Sequence, residues 1–191
     1  ILTELSLNDH FVATSNSTDL QQCEIYLICV PTPTDDDDNP DLSKLISAID
    51  TIGPNVDIDN LIVIESTVFP GTCDDIIKPR LELITGLSVK QEISLAYCPE
   101  RINPGDDFWN CGNIPRVIGA SSEKALSRGA EFYKSILGGG VYDISEIRSF
   151  FSKKFTLDND GKLVVAQVPL GSVTKMRSMR DAEAVKVMEN T

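Results

Sequence analysis

A doubly wound α/β sheet of parallel strands is the fold this sequence predicts, and three observations predict it. Mostly apolar runs, Ile25-Tyr26-Leu27-Ile28-Cys29-Val30, Leu61-Ile62-Val63-Ile64 and Ile93 to Tyr97, are the size of buried strands. Segments of helical period alternate with them, as in βαβ units. Each run ends in a polar set: Val30-Pro31-Thr32-Pro33, Glu65-Ser66-Thr67-Val68 and Pro99-Glu100-Arg101. In an open parallel sheet, ligands gather outside the carboxyl ends of the strands, so these sets are placed for chemistry. Each taken singly also fits an ordinary strand-to-helix turn.

The elements follow in order. After the first strand comes an acidic loop, Thr34 to Pro40, and then Asp41 at an N-cap position ahead of Leu42, Leu45, Ile46 and Ile49 at helical spacing. Gly53-Pro54 ends that helix. Beyond the second strand, a turn at Pro70-Gly71 leads into a helix from about Cys73, with Ile76, Ile77, Leu81 and Ile84 inward. Pro79 should bend or shorten it, and Gly86 stops it. Arg116-Val117-Ile118-Gly119 reads as a short fourth strand. Ser121 is expected to cap the next helix, whose apolar residues include Ala125, Ala130, Phe132, Tyr133 and Ile136, and Gly138-Gly139-Gly140 breaks it. From Val141 to Met179 the pattern loosens. Tyr142 to Phe155 has the period of a short amphipathic helix, Asp158-Asn159-Asp160-Gly161 is a turn, and Leu163 to Val168 resembles a strand. Arg180 to Thr191 regains helical period.

At 191 residues the chain can form one domain, or one domain and part of a second. A net charge of -12 with 17 scattered basic residues argues against a nucleic-acid surface, which needs clustered Lys and Arg. No apolar run approaches the length of a membrane span, and Ile1-Leu2-Thr3-Glu4 has no signal-peptide pattern, so a soluble protein is expected. The five cysteines, Cys23, Cys29, Cys73, Cys98 and Cys111, contain no CxxC pair and form an odd set, which suggests a reducing, cytoplasmic setting.

No metal is expected. Asp35 to Asp38 lacks the glycine and terminal glutamate of a calcium loop, and His10 is the only histidine. That single histidine also gives little support to a Ser-His-Asp triad. Cys98, at the end of a buried strand, fits packing better than nucleophilic reactivity. Glu100 is the leading candidate for acid–base chemistry, because it follows directly on a core strand. Lys186 and Asn190 are four apart on one helical face, where an ammonium and an amide can stabilise an oxyanion. Spacing alone fits an ordinary solvated face better.

Taken in order, these blocks resemble the UDP-glucose/GDP-mannose dehydrogenase family. Within it they look most like the enzymes that oxidise UDP-N-acetylhexosamines to uronic acids for surface polysaccharides. The resemblance rests on Cys29-Val30-Pro31-Thr32-Pro33, Glu65-Ser66-Thr67-Val68 with Pro70-Gly71-Thr72, Leu95 to Arg101 with Pro104-Gly105, Arg116-Val117-Ile118-Gly119, and Ala182-Glu183 through Lys186 to Glu189-Asn190-Thr191. It covers roughly residues 20 to 137 and 180 to 191.

The resemblance implies a Rossmann-like fold, NAD as cofactor and two successive oxidations of the sugar C6 alcohol, the second through a thioester on a cysteine. It implies that Val30, Pro31, Thr32 and Ser66 pass beside the NAD and that Thr67 lies near the nicotinamide and orders a water. Glu100 is implied as the acid–base group of thioester hydrolysis. Lys186 and Asn190 would hold the oxyanion, and Arg101 would contact substrate or an interface. It also implies a homodimer built through a central helical domain. Nothing before Ile25 supplies the family's Gly-x-Gly turn, and the catalytic cysteine would lie beyond Thr191. The expectation is therefore an internal fragment, inactive by itself: an incomplete NAD-binding unit over 1–140, an insertion or linker over 141–179 and the start of the helical domain over 180–191. The rival readings are a dehydrogenase of the 6-phosphogluconate or hydroxyacyl-CoA type and a non-catalytic binding module.

Overall fold

The computed structural model describes residues 12–35, 37, 39–102, 113–146, 155–157, 163–165 and 171–189. Strands β1 (Ile25–Ile28), β2 (Leu61–Ile64) and β3 (Ser94–Tyr97) pair in parallel, with Ile28 beside Ile64 and Ile64 beside Tyr97. All four residues of β2 are fully buried, as expected of a central strand covered on both faces.

On one face, Tyr26, Ile28, Ile62, Ile64, Leu95 and Tyr97 meet helix α1 (Ser43–Ile52), helix α2 (Lys78–Thr85) and a helix near the end of the chain. On the other, Leu61, Val63 and Ala96 meet Leu126, Ala130 and Tyr133 of helix α3 (Glu123–Leu137). The alternation is the period of two of a strand made visible. It yields the three-layered, doubly wound arrangement expected from the sequence.

Helix beginnings follow local chemistry. The Asp41 carboxylate accepts the Ser43 N–H at 2.8 Å and so serves the start of α1. A π-helical turn, Cys73–Ile77, precedes α2, and Pro79 falls in the first turn of α2. The wider turn gives the proline ring room where a regular helix would set it against a carbonyl four residues back. Gly86 ends α2 in the left-handed region at φ 69°. At α3 the cap is Ser122, one residue later than expected, and its hydroxyl accepts the Ala125 N–H. Ser121 instead extends the sheet, exchanging hydrogen bonds with the backbone of Leu95.

The sheet departs from the all-parallel expectation at its fourth strand. β4 (Arg116–Ala120) runs antiparallel to β3, with Ala96 opposite Ala120 and Tyr97 opposite Gly119. β5 (Val141–Asp143) is a strand where an amphipathic helix from Tyr142 was expected, followed by helical residues at 144–146. β6 (Phe155–Leu157) and β7 (Leu163–Val165) make a separate antiparallel pair, so Phe155 too is in a strand. β8 (Val173–Lys175), unforeseen in the sequence, enters between β4 and β5, parallel to both, giving the order β1-β2-β3-β4-β8-β5. The sheet thus extends past Gly140 and includes both ends of the stretch read as an insertion.

The chain then crosses β4 and forms helix α4 (Met179–Glu189). Met179 and Ala182 join the core beside α1 and α2. The crossing is close: a Cβ on Gly119 would lie 2.2 Å from the Ser178 carbonyl oxygen. Among the described residues, no helix is long and apolar enough to cross a membrane.

Candidate functional site

In-register parallel pairing brings the carboxyl ends of β1, β2 and β3 to one edge of the sheet. Backbone bonds carry the pairing past the strands: the Glu65 N–H donates to Ile28 O and the Cys98 N–H to Ile64 O, both at 3.0 Å. An open cleft of about 580 Å³ lies at this edge, within the range of small-molecule sites. Val30, Pro31 and Thr32 line it from the first loop, Ser66 and Thr67 from the second, and Glu100 from the third, together with Cys29 and Glu65. Residues picked from three separate segments of sequence therefore meet in one place.

The hydroxyls here are unequal. Ser66 accepts the Val30 N–H at 3.0 Å and lies 2.7 Å from Val30 O, so its hydroxyl is committed to fastening the end of β1 to the second loop. Thr32 donates to Thr67 O at 2.6 Å, which ties the two loops together across the cleft. The exposed Thr67 lines the opening.

A charged cluster occupies the side of the cleft next to β4. Glu100 Oε1 accepts the N–H groups of Arg101 and Ile102 at 2.6 and 2.7 Å, and its Oε2 lies 2.5 Å from Arg116 Nη2. The same guanidinium donates from Nη1 to Pro99 O at 3.1 Å, lies 3.7 Å from Glu65 and stands over the Tyr133 ring at 5.6 Å. The Tyr133 hydroxyl donates to Glu65. The antiparallel register explains the meeting. Extending the Tyr97–Gly119 pairing by three residues along each strand places Arg116 opposite Glu100, at the cleft edge. In an all-parallel sheet the start of β4 would lie at the far edge.

Burial sets the ionisation of this cluster. It pushes the Tyr133 hydroxyl well above its ordinary range, helped by Cys98 and Glu65, so the hydroxyl remains a donor. Burial also raises the Cys98 thiol well above its ordinary range, despite the nearby Arg116, which fits a packing role. For Arg116, burial opposes the charge but is outweighed by the carboxylates of Glu100 and Glu65. Cys29 is exposed as a residue, yet its sulfur is partly desolvated beside Glu65, and its pKa is pushed up to about 11.

A second buried carboxylate joins α4 to the second loop. Glu183 is fully buried, and it accepts the Gly71 N–H at 2.6 Å and the Cys73 N–H at 2.8 Å. A carboxylate at the start of a helix meets its unpaired N–H groups and the positive end of its dipole. Lys186, one turn further along α4, is only 8% exposed, so its face of the helix is not the solvated one that spacing favoured.

Of the other expected site residues, Arg101 is directed elsewhere, donating to Pro115 O at 2.7 Å, and neither it nor Lys186 is among the residues lining the cleft. Asn190 lies outside the described residues, as do His10, Asp36, Asp38, Pro104-Gly105, Cys111 and the turn at Asp158 to Gly161. Sequence reasoning placed Glu65 in a polar set at a strand end but missed Arg116, Tyr133 and Glu183 as site-shaping residues. A charge opening an apolar strand, at Arg116, and a glutamate between two alanines, at Glu183, were the available signals.

The sequence profile described as UDP-glucose/GDP-mannose dehydrogenase family, NAD binding domain, matches residues 2–137. Protein CapL of Staphylococcus aureus is 36% identical over 141 residues, 74% of this chain and 33% of CapL. UDP-N-acetyl-D-glucosamine 6-dehydrogenase of Pseudomonas aeruginosa is 31% identical over 172 residues, 90% of this chain and 41% of that protein. Among solved structures, the UDP-D-ManNAc dehydrogenase of Pyrococcus horikoshii superposes with a TM-score of 0.70 at 32% identity, over 93% of this chain and 34% of that one. The chain spans about a third to two fifths of the length of these relatives.

Proposed function

Since the chain belongs to the UDP-glucose/GDP-mannose dehydrogenase family, whose NAD-binding domain it matches, we propose that it is part of an enzyme oxidising a UDP-N-acetylhexosamine at C6. The product is the uronic acid, destined for surface polysaccharide, and NAD is the electron acceptor of both oxidations. The observation that carries this reading is the convergence of Val30, Pro31, Thr32, Thr67 and Glu100 on one cleft at the carboxyl ends of β1–β3.

The cleft fits one portion of the cofactor. Val30 and Pro31 offer apolar contact and Thr32 and Thr67 hydroxyl oxygens, while the charged side chains lining it are the carboxylates of Glu65 and Glu100. That chemistry suits the cationic ring of oxidised nicotinamide and its ribose, not a pyrophosphate, so these residues would hold the nicotinamide end. When bound, NAD supplies a hydride acceptor. The exposed Leu27, on the outermost strand β1, supports the idea that further structure of the domain covers this side in the whole protein.

The protein's own residues take the remaining roles. Thr67 orders a water at the mouth of the cleft. Glu100 accepts a proton from water as its oxygen bonds to the acyl carbon of a thioester, and the carbon–sulfur bond breaks with its electron pair leaving on sulfur. The sulfur belongs to a cysteine supplied by the rest of the protein. Lys186, with Asn190, stabilises the oxyanion formed at the sugar, and Glu183 holds that helix to the second loop. Residues 1–140 belong to the NAD-binding unit, and 180–191 begin a helical domain through which the whole enzyme forms a cytoplasmic homodimer.

The test is Glu100→Gln in the full-length protein. Acid formation slows and a covalent acyl-enzyme accumulates, visible by intact-protein mass spectrometry. An unchanged rate of acid formation refutes the assignment.

A further inference from the structure

We infer that Arg116 is a positioning residue for Glu100, acting on thioester hydrolysis and not on the hydride-transfer steps; this rests on the proposed role of Glu100. The argument is geometric. Glu100 is the partly exposed member of the pair, its side chain 40% accessible, whereas that of Arg116 is 7% accessible. The guanidinium is fixed from several directions: by Pro99 O at 3.1 Å, by Glu65 at 3.7 Å and by the face of Tyr133 at 5.6 Å. Glu65 is in turn held by the Tyr133 hydroxyl. These contacts come from the loop after β3, the loop after β2 and α3, so the arginine, itself at the start of β4, is anchored to the scaffold on both sides of the cleft edge.

Glu100 has two carboxylate oxygens and the structure engages both. Backbone N–H groups of Arg101 and Ile102 hold Oε1, and Arg116 holds Oε2. Backbone bonds at one oxygen leave the carboxylate free to swing about that point. The second anchor stops the swing and fixes the direction in which the remaining lone pairs face the cleft. A general base gains from such restraint because proton transfer needs the accepting oxygen within hydrogen-bond reach of water. Arginine suits the task better than lysine, since its planar fork reaches Glu100 and Pro99 O together.

Replacing Arg116 in the full-length enzyme separates this role from simple packing. Arg116→Met is expected to slow release of the acid at least ~tenfold with accumulation of the acyl-enzyme, while the first oxidation and the KM for NAD stay within about twofold. Combined with Glu100→Gln it adds little, because both changes disable one unit. Arg116→Lys restores part of the loss. Normal acid release by folded Arg116→Met, or effects that multiply in the double variant, overturns the inference while Glu100→Gln alone still slows hydrolysis. If Glu100→Gln itself hydrolyses normally, the reading of Glu100 fails instead. Should Arg116→Met not fold, Arg116→Lys decides: its hydrolysis falls between wild type and Glu100→Gln, and a full wild-type rate refutes the positioning role.

Discussion

The carboxylate of Glu183 accepts the backbone N–H of Gly71 at 2.6 Å, linking residues 112 positions apart in the sequence. With the bond from Cys73, it closes the start of the second helical segment from outside, using a side chain of α4. One bond therefore couples the loop carrying Thr67 to the helix carrying Lys186.

Glu183→Ala leaves two buried N–H groups unpaired and is expected to destabilise the protein by about 2–4 kcal/mol. Glu183→Gln, which keeps an acceptor for one of them, loses less. Urea unfolding measures both, and an unchanged midpoint for the alanine variant contradicts the account.

Gly119 allows the crossing of β4. An added Cβ meets backbone, 2.2 Å from Ser178 O and 2.7 Å from Met179 Cα, so no rotamer change relieves it. Gly119→Ala should cost about 1–3 kcal/mol by forcing α4 off the sheet. Thermal unfolding measures the cost, and hydrogen exchange should show the loss of protection concentrated in α4.

Cys29 borders the cleft with a thiol whose pKa is raised from 9.0 to about 11. Its thiolate, the reactive form, is therefore scarce near neutrality and grows until pH passes about 11. Iodoacetamide labelling of the native protein at pH 8 is expected to be at least ~tenfold slower than that of free cysteine. Fast labelling of Cys29 at pH 8, mapped by peptide mass spectrometry, contradicts this.

Lys186→Ala in the full-length protein should depress turnover far more than NAD affinity, because an oxyanion partner acts on the transition state. Steady-state kinetics beside an NAD titration give the two quantities. Equal losses in both place Lys186 elsewhere.

The first half of the fold was legible because its strands are continuous apolar runs flanked by capping and breaking residues, as at Asp41 and Gly86. The convergence of Thr67 and Glu100 followed from parallel topology alone. The direction of β4 was not legible, since Arg116-Val117-Ile118-Gly119 reads alike both ways and reversal depends on how the chain after Glu100 returns. Missing that reversal hid Arg116 from the site. β8 escaped notice because three residues, Val173–Lys175, are too few to show a period, and their neighbours supply most of the reason for extension. The role of Glu183 was not legible because the partners that justify its burial, the N–H groups of Gly71 and Cys73, are backbone groups far away in sequence.

The reversal at β4 makes insertions unequal. The edge of the sheet that bears the cleft is where the chain exits β1, β2 and β3 but enters β4 and β8. A lengthening just after Asp143 emerges at the opposite rim. One just before Gly171 emerges beside Asn113 and Arg116, since Gly171 bonds to Asn113 O and the Arg116 N–H to Ser172 O. The polypeptide between β5 and β8 thus departs remote from the chemistry and returns beside it, so trimming at its second attachment should perturb the arginine and trimming at its first should not.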